Sequence, residues 1–409
     1  MRPFFGSSAT PRGLPKLIKD PIHGYITVED ELLRILDSYA VQRLRRIQQL
    51  PLSHYVYPTA RHSRFDHSLG CMSLAEEYAR HLGLDGGEGM LLKVGALLHD
   101  VGHTPYSHLL EVVLIEKGRS HEEMGMRIIR EDEELATAIE ESGTSTRELI
   151  DLLSGRHRLS SIVSGPLDVD RLDFLLRDSY FTGATYGVVD ARRIIRLTRL
   201  DSKGLYFVSR ALGAVEELAI ARHHSFLNIY FHHAVRAAQL LFLRGFMLLK
   251  GEGLDFAEMS VPEYLSHDDL TVWALLKSDR RTKPYIEELE RRRLPKMVME
   301  VHLPGEVDIP TRMEECRALE AEIASKLDVP EDWVYFDSTS LPPLLGYASQ
   351  PIRIEPAESE LRPSSWILEM TSRPLRIVRV YVRRGSVDPE SARAVVRRIF
   401  EDRGWTATR

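Results

Sequence analysis

The sequence predicts a mainly α-helical protein with a smaller α+β part at its C-terminal end. Apolar residues recur at spacings of three and four, the helical period, through most of the first 300 positions. Strand-like alternation is confined to short stretches, most of them near or beyond that point. The character of the chain shifts after Gly251, where helical segments become more charged. The expected organisation is a flexible Gly/Ser/Pro-rich leader (1–15), a helical body (16–300) and an α+β region (301–409) suited to oligomerisation or regulation. A chain of 409 residues, 43% apolar and 28% charged, fits a soluble globular protein with a large core. A net charge of -6 gives no general attraction to nucleic acid or anionic membrane. Two cysteines, Cys71 and Cys316, make no disulfide framework and suit a reducing compartment. The apolar run from Ala234 to Leu249 is interrupted by Arg236 and Arg244, so no membrane span is expected and a cytoplasmic location is.

Taken in order, Leu17 to Val28 reads as two short strands turned by Asp20-Pro21 and His23-Gly24. From Glu29 the apolar positions Leu32, Leu33, Ile35, Leu36, Val41, Leu44, Ile47 and Leu50 are helical. The interleaved Arg43, Arg45, Arg46, Gln48 and Gln49 read as a mostly solvated face. After a Tyr/His/Pro-rich loop, a helix opens near His62 and runs to about Leu84. His67, Cys71, Leu74, Tyr78 and Leu82 share one of its faces.

The next helix, through Met90 to Leu98, is apolar nearly all round and therefore buried, and it ends on His99-Asp100. An imidazole and a carboxylate in the interior need a partner or a metal. Gly102 and Pro105 then break the helix, leaving His103 and His108 on a turn near the candidate metal, with Glu111 and His121 following. Histidines in a cleft beside a metal suit proton transfer near neutral pH. In the segment Gly165 to Asp178, Asp170, Phe174 and Asp178 fall on one helical face and Leu172, Leu175 and Leu176 on the packing side. That stripe makes sense if Asp170 faces a metal while Phe174 and Asp178 line a pocket. A plainer alternative is a helix capped by Asp168, with surface ion pairs to Arg171 and Arg177. Two further helices are expected near Ser209–Asn228 and Tyr230–Lys250, and charged helices from Ser260 to Leu294. Val298–Leu303 and Trp333–Asp337 read as strands, Arg376–Val382 as a half-exposed strand, and Pro389–Arg403 as an amphipathic helix.

His67, His99-Asp100 and Asp170, in that order on three helical segments, match the H…HD…D signature of the HD-domain phosphohydrolases. Asp20-Pro21-Ile22-His23-Gly24, Gln42-Arg43-Leu44-Arg45, Arg64 to Gly70, His99 to His103, Pro105-Tyr106-Ser107-His108 and Asp168-Val169-Asp170 resemble the deoxynucleoside triphosphate triphosphohydrolase branch. The likeness is close over about residues 16 to 250. It implies an HD-domain helical core in which His67, His99, Asp100 and Asp170 hold one divalent metal. Two imidazoles and two carboxylates accept iron, manganese, zinc or nickel, and magnesium less readily. It further implies that His103, His108 and His121 line the phosphate chain, with His108 moving the proton and Glu111 supporting it where relatives have aspartate. Arg64 and Arg171 would contact phosphates, and Gln49 would lie near sugar and base. Asp178 and Tyr230 would meet the sugar, Tyr230 by packing that excludes a 2′-hydroxyl. Phe174 stands where close relatives have tyrosine, which removes a hydroxyl from the sugar pocket. His233 replaces a family lysine near the phosphates. Asp37 and Arg45 match residues that read a guanine nucleotide activator between subunits, which implies a homo-oligomer, a dimer or tetramer.

The activity so implied is hydrolysis of deoxynucleoside triphosphates to deoxynucleoside and inorganic triphosphate. The alternatives are a broader HD phosphohydrolase acting on nucleoside monophosphates or cyclic nucleotides, or a nucleotide- or nucleic-acid-binding regulator. Arg280-Arg281, Arg291 to Arg293 and the arginines from Arg376 to Arg398 are the foothold for the regulator. Basic clusters on an acidic protein are usually solvated faces, so direct nucleic-acid binding is not expected.

Overall fold

The computed structural model describes residues 15–202, 204–251, 253–305, 307–341, 353–354, 359–360, 365–371 and 374–405. The expected leader lies outside these residues except for Pro15. Among the described residues the architecture is mainly α, with three small sheets. No helix among the described residues is long and apolar enough to cross a membrane.

The chain enters as an antiparallel hairpin, β1 (Lys16–Asp20) and β2 (Gly24–Val28), whose Ile26 and Val28 are buried in the helical core. The helix Arg64–Leu82 starts at a capping box: the Ser63 hydroxyl accepts from the Asp66 amide, and the Asp66 carboxylate accepts from the Ser63 amide at 2.8 Å. It stops at Gly83, which takes the left-handed conformation (φ +64°) that a side chain resists. Asp85 then caps the Gly86–Leu98 helix by accepting from the Glu88 amide. This short connection folds the two helices back on each other, and the Val169–Thr182 helix packs against the first of them. Asp168 caps that third helix and Gly183 (φ +72°) closes it. All three helices share one core with the hairpin.

Further on, β3 (Thr198–Asp201) and β4 (Gly204–Phe207) form a hairpin, followed by helices at Leu212–Ser225 and His233–Met247 with a π-helical turn (Phe226–Tyr230) between them. A second core lies in the C-terminal part, formed by β5 (Lys296–Pro304), β6 (Val334–Leu341) and the helices Met313–Leu327 and Pro389–Asp402. Two short strands, β7 (Arg353–Ile354) and β8 (Ser359–Glu360), join the sheet of β3 and β4 instead. The helix Trp366–Thr371 likewise packs on the Leu212–Ser225 helix, so the chain after residue 300 touches the helical body as well as its own core.

The strand β9 (Leu375–Val382) differs from its half-exposed expectation. It is the centre of the order β5-β9-β6, antiparallel to both neighbours, and Ile377 to Val382 are all buried. Alternation survives because its faces meet different partners. Val378 and Val380 enter the second core, Tyr381 the first, and Arg379 is buried against Glu300 at 2.7 Å. The two parts are joined by Arg236–Asp337 (2.7 Å) and Arg244–Glu320 (2.8 Å), pairs whose acids are nearly fully buried. Several arginines of the basic stretches are likewise engaged, Arg293 with Glu288, Arg281 with Asp279 and Arg393 with Glu390.

Candidate metal centre and active site

The four expected ligands converge from three helices. His67 Nε2 lies 3.1 Å from Asp170 Oδ1 and 3.6 Å from Asp100 Oδ2. His99 Nε2 lies 3.4 Å from Asp100 Oδ1 and 3.9 Å from Asp170 Oδ1. Separations of this size are the edges of a shell around one cation with ligand bonds of about 2.0–2.2 Å. Tautomers point the same way. His99 Nδ1 sits 2.8 Å from the Ala96 carbonyl and His67 Nδ1 sits 2.7 Å from Asp173 Oδ2, so both rings donate from Nδ1 and turn a bare Nε2 into the cluster. His99 Nε2 is buried and without a hydrogen-bond partner. That orphaned atom, beside two carboxylates, fits a bound divalent cation. Asp170 keeps 33% side-chain exposure, which opens the cluster to solvent on that side.

Electrostatics keep both carboxylates charged. Burial opposes ionisation of Asp100, but His99, Arg64 and His103 outweigh it and hold its pKa well below the usual carboxylate range. Asp170 is likewise lowered, burial being overcome by His67 and His99. Burial opposes protonation of His67, yet Cys71, Asp170 and Asp173 raise its pKa well above the ordinary value. The pocket therefore demands positive charge, from a proton or from a metal.

A second cluster adjoins the first. His103 Nε2 is 3.2 Å from Asp100 Oδ1, its ring stacks on His121 (centroids 4.0 Å apart), and His108 meets it edge-on at 4.8 Å. Glu111 bridges the other two, taking His108 Nδ1 at 2.7 Å and His121 Nδ1 at 2.5 Å. Burial works against the Glu111 carboxylate, but the hydrogen bonds from His108 and His121 push its pKa far down. The same contact raises His121 despite its burial, whereas burial, Arg64 and His121 hold His103 well below the ordinary histidine value. The neighbours thus divide into a neutral His103 and a His121 that favours its charged form. His108 is the exposed member, with 64% of its side chain in solvent.

The backbone of this turn is held in an unusual shape. Tyr106 and Ser107 are left-handed (φ +57° and +50°), secured by Asp269 accepting from the Tyr106 amide at 2.6 Å. Arg43, expected on a solvated face, is fully buried: Nε donates to the His267 carbonyl (2.7 Å) and Nη1 to the His103 carbonyl (3.0 Å). Its role is to satisfy carbonyls of the irregular segment, which secondary structure cannot.

Gly102 makes the stacking possible. A Cβ there would collide with the His121 carbonyl and the backbone of Gly125, so only glycine lets the His121–Glu131 helix approach closely enough. Gly102→Ala is expected to cost about 1–3 kcal/mol by overpacking and to displace His121. A thermal melt and the chemical shift of the His121 ring check it.

The other expected residues are placed as follows. Arg64 is buried, its Nη1 on Asp100 Oδ2 (2.7 Å) and its Nε donating to Ser107 (2.9 Å). Arg171 is clamped by the Asp168 carboxylate and the Gly165 carbonyl. Asp178 receives the Tyr230 hydroxyl at 2.6 Å and lies 2.7 Å from His62 Nε2; Phe174 meets Tyr230 edge-on at 6.2 Å. The π-helical turn ends on Tyr230, a distortion common at functional sites. Gln49 is buried near His62, whose carbonyl accepts its amide, and Gln49 Oε1 has no partner. His233 stands apart, lining a groove of about 450 Å³ with His223, Glu300, His302 and Arg379. Asp37 and Arg45 are exposed, Arg45 stacking over Phe65.

Several residues were not foreseen as part of the site. Asp173 is fully buried and supports His67, and Arg177 is buried with it, donating to Asp173 (2.8 Å) and Asp20 (2.8 Å), so it forms no surface ion pair. The Asp173–Arg177 spacing of four was the available signal. Ser107 lies within the Pro105–His108 motif, whereas nothing local marks His62.

Residues 64–173 match the family model of the HD domain, and residues 189–372 match that of the HD associated region. The chain is 36% identical over 287 residues to an uncharacterized protein, MJ1154, of Methanocaldococcus jannaschii, covering 69% of this chain and 59% of that one. It is 28% identical over 251 residues to the deoxynucleoside triphosphate triphosphohydrolase SAMHD1 homolog of Dictyostelium discoideum, covering 56% and 49%. The chain thus spans only about half to three-fifths of the length of these curated relatives. A solved phosphohydrolase structure from Bacteroides thetaiotaomicron superposes with a TM-score of 0.72 at 25% identity, covering 90% of this chain and 100% of that one.

Proposed function

We propose that this chain, which carries an HD domain and resembles the HD-domain phosphohydrolases of the SAMHD1 type, hydrolyses deoxynucleoside triphosphates at the α-phosphorus. The observation that carries this reading is the adjacency of the four-ligand cluster to the His103–His108–His121 cluster, with Asp178 further along the Asp170 helix and Tyr230, from the π-helical turn, hydrogen-bonded to it. Eight residues of helix separate Asp170 from Asp178 by about 12 Å, room for phosphates at one end and a sugar at the other.

His67, His99, Asp100 and Asp170 would hold one divalent cation: iron, manganese, zinc or nickel, or magnesium. When bound, it supplies Lewis-acid polarisation of the reacting phosphate. His121, favouring its charged form, and Arg171 offset phosphate charge, while neutral His103 gives a hydrogen bond without a net charge. Arg64 fixes Asp100 from behind. Water adds to the α-phosphorus and releases a proton to solvent, the bond to the 5′-oxygen breaks, and a proton from His108 goes to that oxygen. Glu111 holds His108 by Nδ1, which leaves Nε2 as the atom that meets substrate. Tyr230, fixed by Asp178, packs against the sugar where a 2′-hydroxyl would sit, and Phe174 completes that wall without a hydroxyl. A guanine nucleotide at Asp37 and Arg45, in a homo-oligomer, is the corresponding proposal for activation.

Chromatography of the products tests the reaction. The expected pair is deoxynucleoside and inorganic triphosphate in equal amounts; release of orthophosphate alone contradicts the assignment. A panel of nucleoside monophosphates and cyclic nucleotides is expected to be turned over far more slowly.

A further inference from the structure

The segment Asp20-Pro21-Ile22-His23-Gly24 turns the N-terminal hairpin, and none of its side chains reaches the four-ligand cluster directly. Its geometry nevertheless ends there. Asp20 Oδ1 accepts from the amides of Ile22 and His23, both at 2.8 Å, and Gly24 closes the turn in the left-handed region (φ +79°). The locked turn aims His23 inward, so that Nε2 lies 2.6 Å from Asp173 Oδ1. The same carboxylate takes His67 Nδ1 at 2.7 Å and Arg177 Nε and Nη2 at 2.8 and 2.9 Å. Arg177 Nη1 reaches back to Asp20 Oδ2 at 2.8 Å, closing the circuit on the hairpin. The side chains of His67, Asp173 and Arg177 are fully buried and that of His23 is 4% exposed, so the four groups meet away from bulk solvent.

A carboxylate has about four acceptor positions, and all four on Asp173 are used. Space is equally committed: a Cβ at Gly70 would collide with Asp173 and Arg177. Asp173 decides which nitrogen of His67 carries the proton and where Nε2 points, and His23 is one of the groups that decides where Asp173 points.

We propose that His23 is a positioning residue for the metal centre, and that docking of the β1–β2 hairpin and binding of the metal stabilise each other. The proposal rests on the metal centre read above. Coupling of this kind is reciprocal: whatever the hairpin adds to metal affinity, the metal returns to the hairpin.

Manganese binding by calorimetry and hydrogen exchange of the hairpin amides provide the test, on the full chain. His23→Ala is expected to weaken manganese binding roughly 10- to 100-fold. His23→Gln, whose amide can still donate to Asp173, is expected to recover much of the affinity. Ile26→Ala removes hairpin packing without touching Asp173 and is expected to lower the melting temperature while weakening manganese binding far less than His23→Ala does. In the native chain, manganese is expected to slow exchange across Leu17 to Val28. Native affinity in His23→Ala, equal weakening by Ile26→Ala, or hairpin exchange indifferent to manganese overturns the proposal alone. A native chain that binds none of manganese, iron, zinc, nickel or magnesium overturns the metal centre and the proposal with it. If His23→Ala does not fold, His23→Gln compared with Ile26→Ala still decides.

Discussion

His99→Ala is expected to lower nucleotide hydrolysis by at least roughly a thousandfold, with the metal lost from the purified protein. The reason is local. His99 ends the Gly86–Leu98 helix, spends Nδ1 on the Ala96 carbonyl and offers Nε2 to nothing but the cluster. Removing the ring deletes one of four ligands and leaves Asp100 and Asp170 facing each other with less to balance them. Charge stabilisation by a bound metal is worth several kcal/mol in the transition state, and each 1.36 kcal/mol is a factor of ten. The fold should tolerate the change, because a helix end loses only one side-chain contact to a carbonyl. Steady-state assays of triphosphate release, elemental analysis and a thermal melt of the metal-free protein check the three parts separately. Activity within tenfold of the native protein contradicts the ligand assignment.

The second large effect concerns His108 and Glu111. His108→Ala is expected to slow turnover by about 10²- to 10⁴-fold, the range for losing a general acid. Because His108 is largely exposed, stability and metal content should hardly change. Glu111→Gln should be nearly as damaging for a different reason. Its carboxylate receives both His108 Nδ1 and His121 Nδ1, and an amide offers one acceptor and one donor, so one ring must change tautomer or turn.

The pair also sets a pH signature. Glu111 has a depressed folded-state pKa, so its contribution is present above its unfolded value, about 4.3, and is lost as pH falls through the folded value. His121 has a raised one, so its contribution is full below its unfolded value, about 6.5, and is lost as pH rises through the folded value. The melting-temperature gap between the native chain and Glu111→Gln should therefore be widest between about pH 4.5 and 6.5 and should narrow on either side. A gap independent of pH contradicts the coupled contact.

Much of this site could be read from sequence because its chemistry follows local periodicity. His67 shares a stripe with Cys71 and Tyr78, His99-Asp100 ends an apolar helix, and Asp170, Phe174 and Asp178 keep a four-residue spacing on one face. What stayed hidden depends on pairings across the chain. Asp173 meets His67 and His23 across 106 and 150 residues, and Arg43 meets the His267 carbonyl across 224. In a linear sequence such residues look like ordinary surface charges, and only the fold brings the partner that makes burial tolerable. The same holds for β9, whose alternating pattern says that it has two faces but not that strands flank it on both sides. Asp20-Pro21-Ile22-His23-Gly24 was legible as a turn; its reach through Asp173 to His67 was not.

Crystals grown with manganese, measured for anomalous scattering at its absorption edge, test the central claim most directly. The expected result is one strong peak about 2.0–2.2 Å from His67 Nε2, His99 Nε2 and a carboxylate oxygen of each of Asp100 and Asp170. A peak elsewhere, or none while these four side chains stay gathered, contradicts it.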